Sequence, residues 1–181
     1  IGLPLTVCRL EPDTEILVTE MGMRGRGQIA ALCAIARPDV VVVSHIGPEH
    51  LELLGSVENV AAANAEAIAA LPPGGTAVVP ADAAALEPHL GREDVELRRF
   101  AAADVELDGH TGRFSVDGHE VELELPFTQR HHALNALAAL NACAALGLPL
   151  DRAADGAGAI TLSPWRGEEQ ELPGGGLVIN D

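Results

Sequence analysis

The run Val40-Val41-Val42-Val43 narrows what this chain can fold into more than any other feature. Four consecutive β-branched apolar residues have no polar face, so as a strand they need cover on both sides, which a parallel sheet between helices supplies. The flanking patterns provide those helices. Upstream, Ile29, Leu32, Cys33 and Ile35 recur at helical spacing until Pro38. Downstream, Ser56 suits an N-cap with Glu58 in the first turn, and an alanine-rich helix follows to about Leu71, where Pro72-Pro73-Gly74-Gly75 breaks it. Residues 15–20 read as a strand before this pair of helices, and residues 76–79 as a strand after it. Strand, helix, strand, helix, strand predicts an α/β fold with a doubly wound, mostly parallel sheet.

From about residue 95 the texture changes. The runs 95–99, 105–107, 114–116 and 121–125 are short and alternating, the later ones separated by Asp108-Gly109 and Asp117-Gly118 turns. A small antiparallel subregion over 95–125 follows. The helical pattern then returns over 133–146, closed by Gly147 and Pro149, with a shorter helix at 151–157 and a strand at 177–181. The 181 residues fit one domain, 1–181. Opening without Met and ending on a strand, the chain reads as a piece of a longer protein.

Only three Phe, one Trp and no Tyr are present, so the core is built from Ala, Val, Leu and Ile. Against 27 acidic residues stand eleven basic ones, a net charge of −16. Such a field repels phosphate backbones and anionic lipid head groups, which argues against nucleic acid or a membrane surface as partner and leaves room for a metal-masked nucleotide. All eleven basic residues are Arg, so no mechanism can draw a lysine from this chain. Cys8, Cys33 and Cys143 are odd in number, widely spaced and set among apolar residues, the pattern of reduced core residues, and a cytoplasmic location follows as the default expectation. No apolar run reaches the roughly 18 residues of a membrane span, and the start carries no secretory pattern.

In open α/β sheets ligands gather at the carboxyl ends of strands. Those ends supply Glu20, then Ser44 and His45, then His50 and Glu52 in the following loop. A carboxylate and a neutral imidazole from adjacent strand ends can hold a hard divalent cation that keeps several waters; a solvated acid and a surface-loop histidine are the plain alternatives. The stretch Gly22-Met23-Arg24-Gly25-Arg26-Gly27 is glycine-rich but has neither the Gly-Lys-Ser/Thr ending of a P-loop nor a dinucleotide fingerprint. Arg24 and Arg26 suit contacts to an anionic substrate, or a solvated loop. Asn135, early in the long helix, has the paired donor and acceptor that read an adenine edge, as well as the makings of an ordinary helix-face amide. Arg166 beside Trp165 suits phosphate or ribose contacts, or packing on the indole. Asp181, at a strand end, suits ribose hydroxyls or plain solvation.

Six segments occur in order: IGLPLTV, TEMGMRGRGQIA, RPDVVVVSHIGPEHLELLGS, RHHALNALAALNA, SPWRGE and VIND. Together they resemble the central domain of the Mur ligases, the ATP-dependent amide-bond ligases of peptidoglycan precursor synthesis. The similarity is greatest to the branch that adds D-alanyl-D-alanine to UDP-N-acetylmuramoyl-tripeptide. The resemblance implies ATP and Mg²⁺ as cofactors, with Glu20 and His50 at the metal, Asn135 at adenine, and Arg166 and Asp181 on ATP from the linker side. It implies activation of a substrate carboxyl as an acyl phosphate that the incoming amine attacks, a chemistry in which the protein positions groups and neutralises charge. It also places a P-loop before Ile1 and a further domain after Asp181, so that this chain alone is expected to be inactive.

Three residues depart from the family pattern. Asn64 stands where the family has a lysine that becomes carbamylated beside the second metal ion, His45 where a strand-end Asn is usual, and His132 where Asn follows His131. Glu66, two residues beyond Asn64, lies about 200° around a helix of ~3.6 residues per turn and is no substitute ligand. Two other readings stand beside the ligase. One is a catalytically dead relative serving as a binding or scaffold module; the other is a sister ligase such as a folylpolyglutamate synthase. The Glu-Met-Gly stretch followed by Arg-Gly-Arg-Gly-Gln favours the dipeptide-adding type over the last.

Overall fold

The computed structural model describes residues 2–161 and 168–180, divided between two units, Ile1–Phe100 and Ala101–Asp181. The first unit contains helices Gly2–Val7 (α1) and Gln28–Ala36 (α2), strand Val40–Val42 (β1), the short helix Leu51–Leu54 (α3), helix Val57–Ala69 (α4), and strands Thr76–Pro80 (β2) and Glu96–Phe100 (β3). The sheet order is β1-β2-β3, parallel throughout, with registers Val40↔Thr76 and Thr76↔Glu96. The central strand β2 is buried along its whole length, and Ala77, Val78 and Val79 have no exposed surface. This is the environment expected for an apolar strand lacking a polar face.

Helix α4 begins as the sequence predicts, with the Ser56 hydroxyl accepting the Asn59 N–H at 3.3 Å. Its own backbone N–H and the Ser56 hydroxyl hold the Glu58 carboxyl below the ordinary carboxylate range. Val60, Ala61, Ala63, Ala65, Ala67 and Ile68 are all buried, so α4 is covered on most of its circumference. Alanine makes this possible because neighbouring elements can approach the backbone closely. The carboxyl end of α4 has no basic residue in its last turn. Arg92 serves instead from outside the helix: its Nη1 donates to the carbonyls of Ile68, Ala69 and Leu71 at 3.2, 3.2 and 2.7 Å. Asp94 accepts from the remaining guanidinium edge at 3.0 and 2.6 Å.

Two expectations are corrected here. Residues 15–20 belong to no strand or helix, with Leu17 and Thr19 partly covered and Ile16, Val18 and Glu20 exposed. A strand needs a hydrogen-bonded neighbour as well as a suitable sequence, and the outer edge of β1 likewise has no partner among the described residues. The run at 95–99, read as the start of the antiparallel subregion, belongs to the parallel sheet as β3. Its alternation reflects the partly solvated position of an edge strand, which a parallel edge shows as readily as an antiparallel one.

In the second unit, Val105–Asp108 (β4), Thr111–Val116 (β5) and His119–Glu124 (β6) form an antiparallel sheet. The β5–β6 loop is the expected Asp117-Gly118 pair, with φ of 53° and 77°, a two-residue turn with both central residues left-handed. At the other hairpin, Asp108 pairs with Thr111, so the loop is Gly109-His110 and the aspartate closes the strand. Helix Arg130–Ala145 (α5) packs on β4 and β5, and Ala153–Ala157 (α6) on β6. Phe114, fully buried, lies over Gly112, where a Cβ would come within 2.7 Å of its ring. Glu168–Leu172 (β7) and Gly176–Asn180 (β8) form a separate antiparallel hairpin, and β8 meets the strand expected from residue 177. Arg166 and Asp181 lie outside the described residues.

Candidate functional site

Of the residues singled out in the first unit, Arg24 and Arg26 lie in the turn just before the start of α2. This helix opens at Gly27, whose φ of 80° is left-handed, with no side-chain cap and no acid in the first turn. Its first N–H groups therefore need an acceptor from elsewhere in the chain. Glu66 of α4 provides it: Oε1 accepts the Gly27 N–H at 2.6 Å and Oε2 accepts the Ala30 N–H at 3.1 Å. A carboxylate in this place also opposes the positive end of the helix dipole. Burial pushes the Cys33 thiol of α2 up, and the charge on Glu66 adds to that shift.

The glycine-rich turn before α2 is tied down at two further points. The Arg24 N–H donates to Gln28 Oε1 at 2.8 Å, and Arg26 Nη2 donates to Asn59 Oδ1 at 3.4 Å. Asn59 is itself fixed, its Nδ2 donating to the Leu54 carbonyl at 2.7 Å. Sequence reasoning marked Arg24 and Arg26 but gave Glu66 no role of its own. The signal that finds it is a negative one: a helix starting on Gly-Gln, without cap or acid, implies an acceptor brought by the fold.

Glu20 is exposed and makes no hydrogen bond or ion pair with a described residue. His50 has a left-handed backbone, φ 53°, immediately before α3; its carbonyl accepts the Leu53 and Leu54 N–H groups at 2.9 Å, and its side chain is exposed. No hydrogen bond joins the two, and no group of three His, Cys, Asp or Glu that could hold a metal occurs among the described residues. The donor set nonetheless fits Mg²⁺ as a nucleotide-bound ion, since such an ion takes one or two protein ligands and completes its shell with water and phosphate oxygens. The imidazole of His45 lies over Gly47, occupying the space a side chain there would fill.

Asn64 is half-buried on α4, and its Nδ2 donates to the Val60 carbonyl one turn back at 2.9 Å. The side chain is thus engaged within its own helix. In the second unit, Asn135 is exposed on α5 and its amide makes no hydrogen bond with a described residue. Ahead of it, Phe127, His132 and His131 form a row of rings with centroid separations of 5.1 and 4.1 Å. The preceding Arg130 donates from Nη2 to the Ala102 carbonyl at 3.0 Å.

Among the described residues no helix is long and apolar enough to cross a membrane. Residues 1–143 match the Mur ligase middle domain. The chain is 32% identical, over its whole length, to a UDP-N-acetylmuramoyl-tripeptide--D-alanyl-D-alanine ligase of Bacillus subtilis, covering 41% of that protein. A ligase of the same name from Synechocystis is 37% identical over 82% of the chain and 33% of the relative. A MurF ligase from Thermotoga maritima, solved in complex with ADP, superposes with a TM-score of 0.78 at 27% identity, over 99% of this chain and 43% of that one. The chain thus spans between a third and about two-fifths of the length of these curated relatives. A parallel sheet flanked by helices and followed by an antiparallel sheet, in a sequence that matches one family over residues 1–143, leaves one assignment: the chain belongs to the Mur ligase middle-domain family.

Proposed function

We propose that the full-length protein is a cytoplasmic, ATP-dependent ligase that joins D-alanyl-D-alanine to UDP-N-acetylmuramoyl-tripeptide. The observation that carries this reading is the 32% identity to the Bacillus subtilis ligase across the whole chain, which is more than a shared fold. In this reading 1–181 is the central ATP-binding domain, with the antiparallel sheet as a subregion within it. The tripeptide carboxylate attacks the γ-phosphorus of ATP and ADP leaves; the dipeptide amine then attacks the acyl carbon, and its bond to the phosphate oxygen breaks. Glu20 and His50 would hold Mg²⁺, which when bound would supply positive charge to the phosphate oxygens. Asn135, Arg166 and Asp181 hold the nucleotide, and Arg24 and Arg26 meet the anionic acceptor substrate.

A catalytically dead binding module is the second reading, favoured by one observation: Asn64, at the position expected to carry a carbamylated lysine, is bonded into its own helix. Turnover separates the two. The full-length protein is expected to release phosphate only when ATP, UDP-muramoyl tripeptide and D-alanyl-D-alanine are all present, while the 181-residue chain, which has no lysine for the phosphates, releases none. In the same assay Glu20→Ala and His50→Ala should lower the rate and regain part of it at raised Mg²⁺ or Mn²⁺. Phosphate release supported by a folate and glutamate instead would move the protein to the sister ligases, and no release under any condition would favour the dead module.

A further inference from the structure

Arg92, Arg98, Arg99 and Arg113 are each paired with a carboxylate of this acidic chain. Arg24 and Arg26 form no ion pair with a described residue; the one polar partner of the Arg26 guanidinium is the neutral Asn59 amide, at 3.4 Å. Two uncompensated guanidiniums two residues apart, in a chain of net charge −16, are suited to an anion that comes from outside.

A helix start after a glycine-rich turn would ordinarily compete for that anion with its own N–H groups. Here the position is already taken. Glu66 spans the Gly27 and Ala30 N–H groups with its two oxygens, from a helix 36 to 39 residues further along the chain. An incoming phosphate or carboxylate would meet a negative charge at the start of α2 and positive charge only on the arginines of the turn. Asn59 and Glu66 are seven residues apart on α4, close to two turns of ~3.6 residues, so one face of that helix holds both the Arg26 side chain and the Gly27 backbone.

We propose that Glu66 is a positioning residue: by closing the start of α2 it fixes the turn carrying Arg24 and Arg26 and leaves their guanidiniums as the anion-binding groups toward the acceptor substrate. This rests on the reading that those arginines contact the UDP-linked tripeptide. Steady-state kinetics of the full-length ligase tests it with Glu66→Gln, Arg26→Gln and Asn59→Asp. Glutamine keeps the length of Glu66 but presents one donor group to N–H groups that need acceptors. It is expected to raise the KM for UDP-muramoyl tripeptide about tenfold while kcat and the KM values for ATP and D-alanyl-D-alanine stay within about twofold.

Arg26→Gln should raise the same KM. If it does not, the substrate-contact reading fails; if it does and Glu66→Gln leaves that KM unchanged, the positioning role alone is overturned. A rise of all three KM values together, or a fall in kcat with the acceptor KM unchanged, also overturns it, because either marks general loosening. Should Glu66→Gln lose its cooperative melting transition, Asn59→Asp decides. That variant keeps the side-chain shape and sets a carboxylate against Arg26, so it should raise the acceptor KM, and an unchanged value refutes the proposal.

Discussion

Replacing Asn64 by lysine asks whether this position limits catalysis. The structural cost can be worked out from the helix. Asn64→Lys removes one hydrogen bond, Nδ2 to the Val60 carbonyl at 2.9 Å, worth about 0.5–1.5 kcal/mol. It returns a few tenths of a kcal/mol, roughly, because lysine is the better helix former. The position is half-buried, so the lysine stem can lie along apolar surface with its head in solvent. The net loss is about 1 kcal/mol or less, a melting shift of roughly 4–8 °C at most for a unit of this size. The variant therefore stays folded under assay conditions. Its expected gain is catalytic: a carbamate formed on the new amine would bring a negative charge and two oxygen donors where Asn offers one carbonyl oxygen. Changes among groups supporting a metal site typically move affinity or activity by about 10–100-fold, so a gain toward the lower end is expected, largest at limiting Mg²⁺ and with bicarbonate added. The assay is ADP release by the full-length protein with and without bicarbonate. If the native protein already turns over at an ordinary ligase rate, and Asn64→Lys brings neither gain nor bicarbonate response, the reasoning is wrong.

Two further perturbations address the scaffold. Gly112→Ala would place a methyl group 2.7 Å from two ring atoms of Phe114 and 2.9 Å from Leu125 Cδ1; overpacking of about 1–3 kcal/mol, less about 0.4–1 kcal/mol from a stiffer unfolded chain, predicts a lower urea midpoint that Phe114→Leu partly restores, and an unchanged midpoint would show that the ring is free to move. The Arg92 guanidinium, by its hydrogen bonds, holds the Asp94 carboxyl below the ordinary range, so the stability it contributes is present in full above the unfolded carboxylate pKa of about 3.9 and disappears as pH falls through the lower, folded value. Asp94→Asn should flatten that part of the acid limb in urea titrations, and an acid limb identical to the parent's would remove Asp94 from the account.

How much of this was legible in the sequence depended on whether a residue's partner lies nearby in the chain. The Ser56 cap and the Asp117-Gly118 turn are set by local chemistry, and the structure follows the sequence at both; Val40–Val42 forms the expected parallel strand, but Val42 is exposed, so the cover expected on both faces is present on one. Residues 15–20 have the pattern of a strand and not the neighbour, and a pattern cannot supply hydrogen bonds. The strand at 96–100 alternates because it lies at an edge; alternation reports half-burial and is silent about the direction of the partner. At the candidate site, Glu20, Arg24, Arg26, His50 and Asn64 could be picked out as chemically capable side chains. Glu66 could not be given a purpose, because its bonds run to residues 36 and 39 positions away. Arg92 escaped notice for the same reason, reaching back to carbonyls 21 to 24 residues earlier.

These long-range bonds bear on how so acidic a chain would serve the polyanionic substrates proposed above. A net charge of −16 repels nucleotides at a distance, so attraction must come from groups close to the binding surface, over less than a Debye length of about 8 Å. Several of the chain's arginines are unsuited to this. Arg92 and Asp94 together close the end of α4, Arg113 lies between Glu106 and Glu122 on the antiparallel sheet, and Arg99 is joined to Glu87. Each of these arginines has its field cancelled within a few ångströms. The start of α2, another source of positive potential, is cancelled by Glu66. What stays uncompensated in the first unit's glycine-rich turn is Arg24 and Arg26, and what stays unbonded just before it is Glu20, a carboxylate that can accept a cation. On the function proposed above, an acidic surface that leaves two cations in one turn and one hard oxygen donor four residues before them would discriminate by charge: a bare anion would be repelled, whereas an anion that fits the arginines, or that arrives with its own divalent cation, would be held.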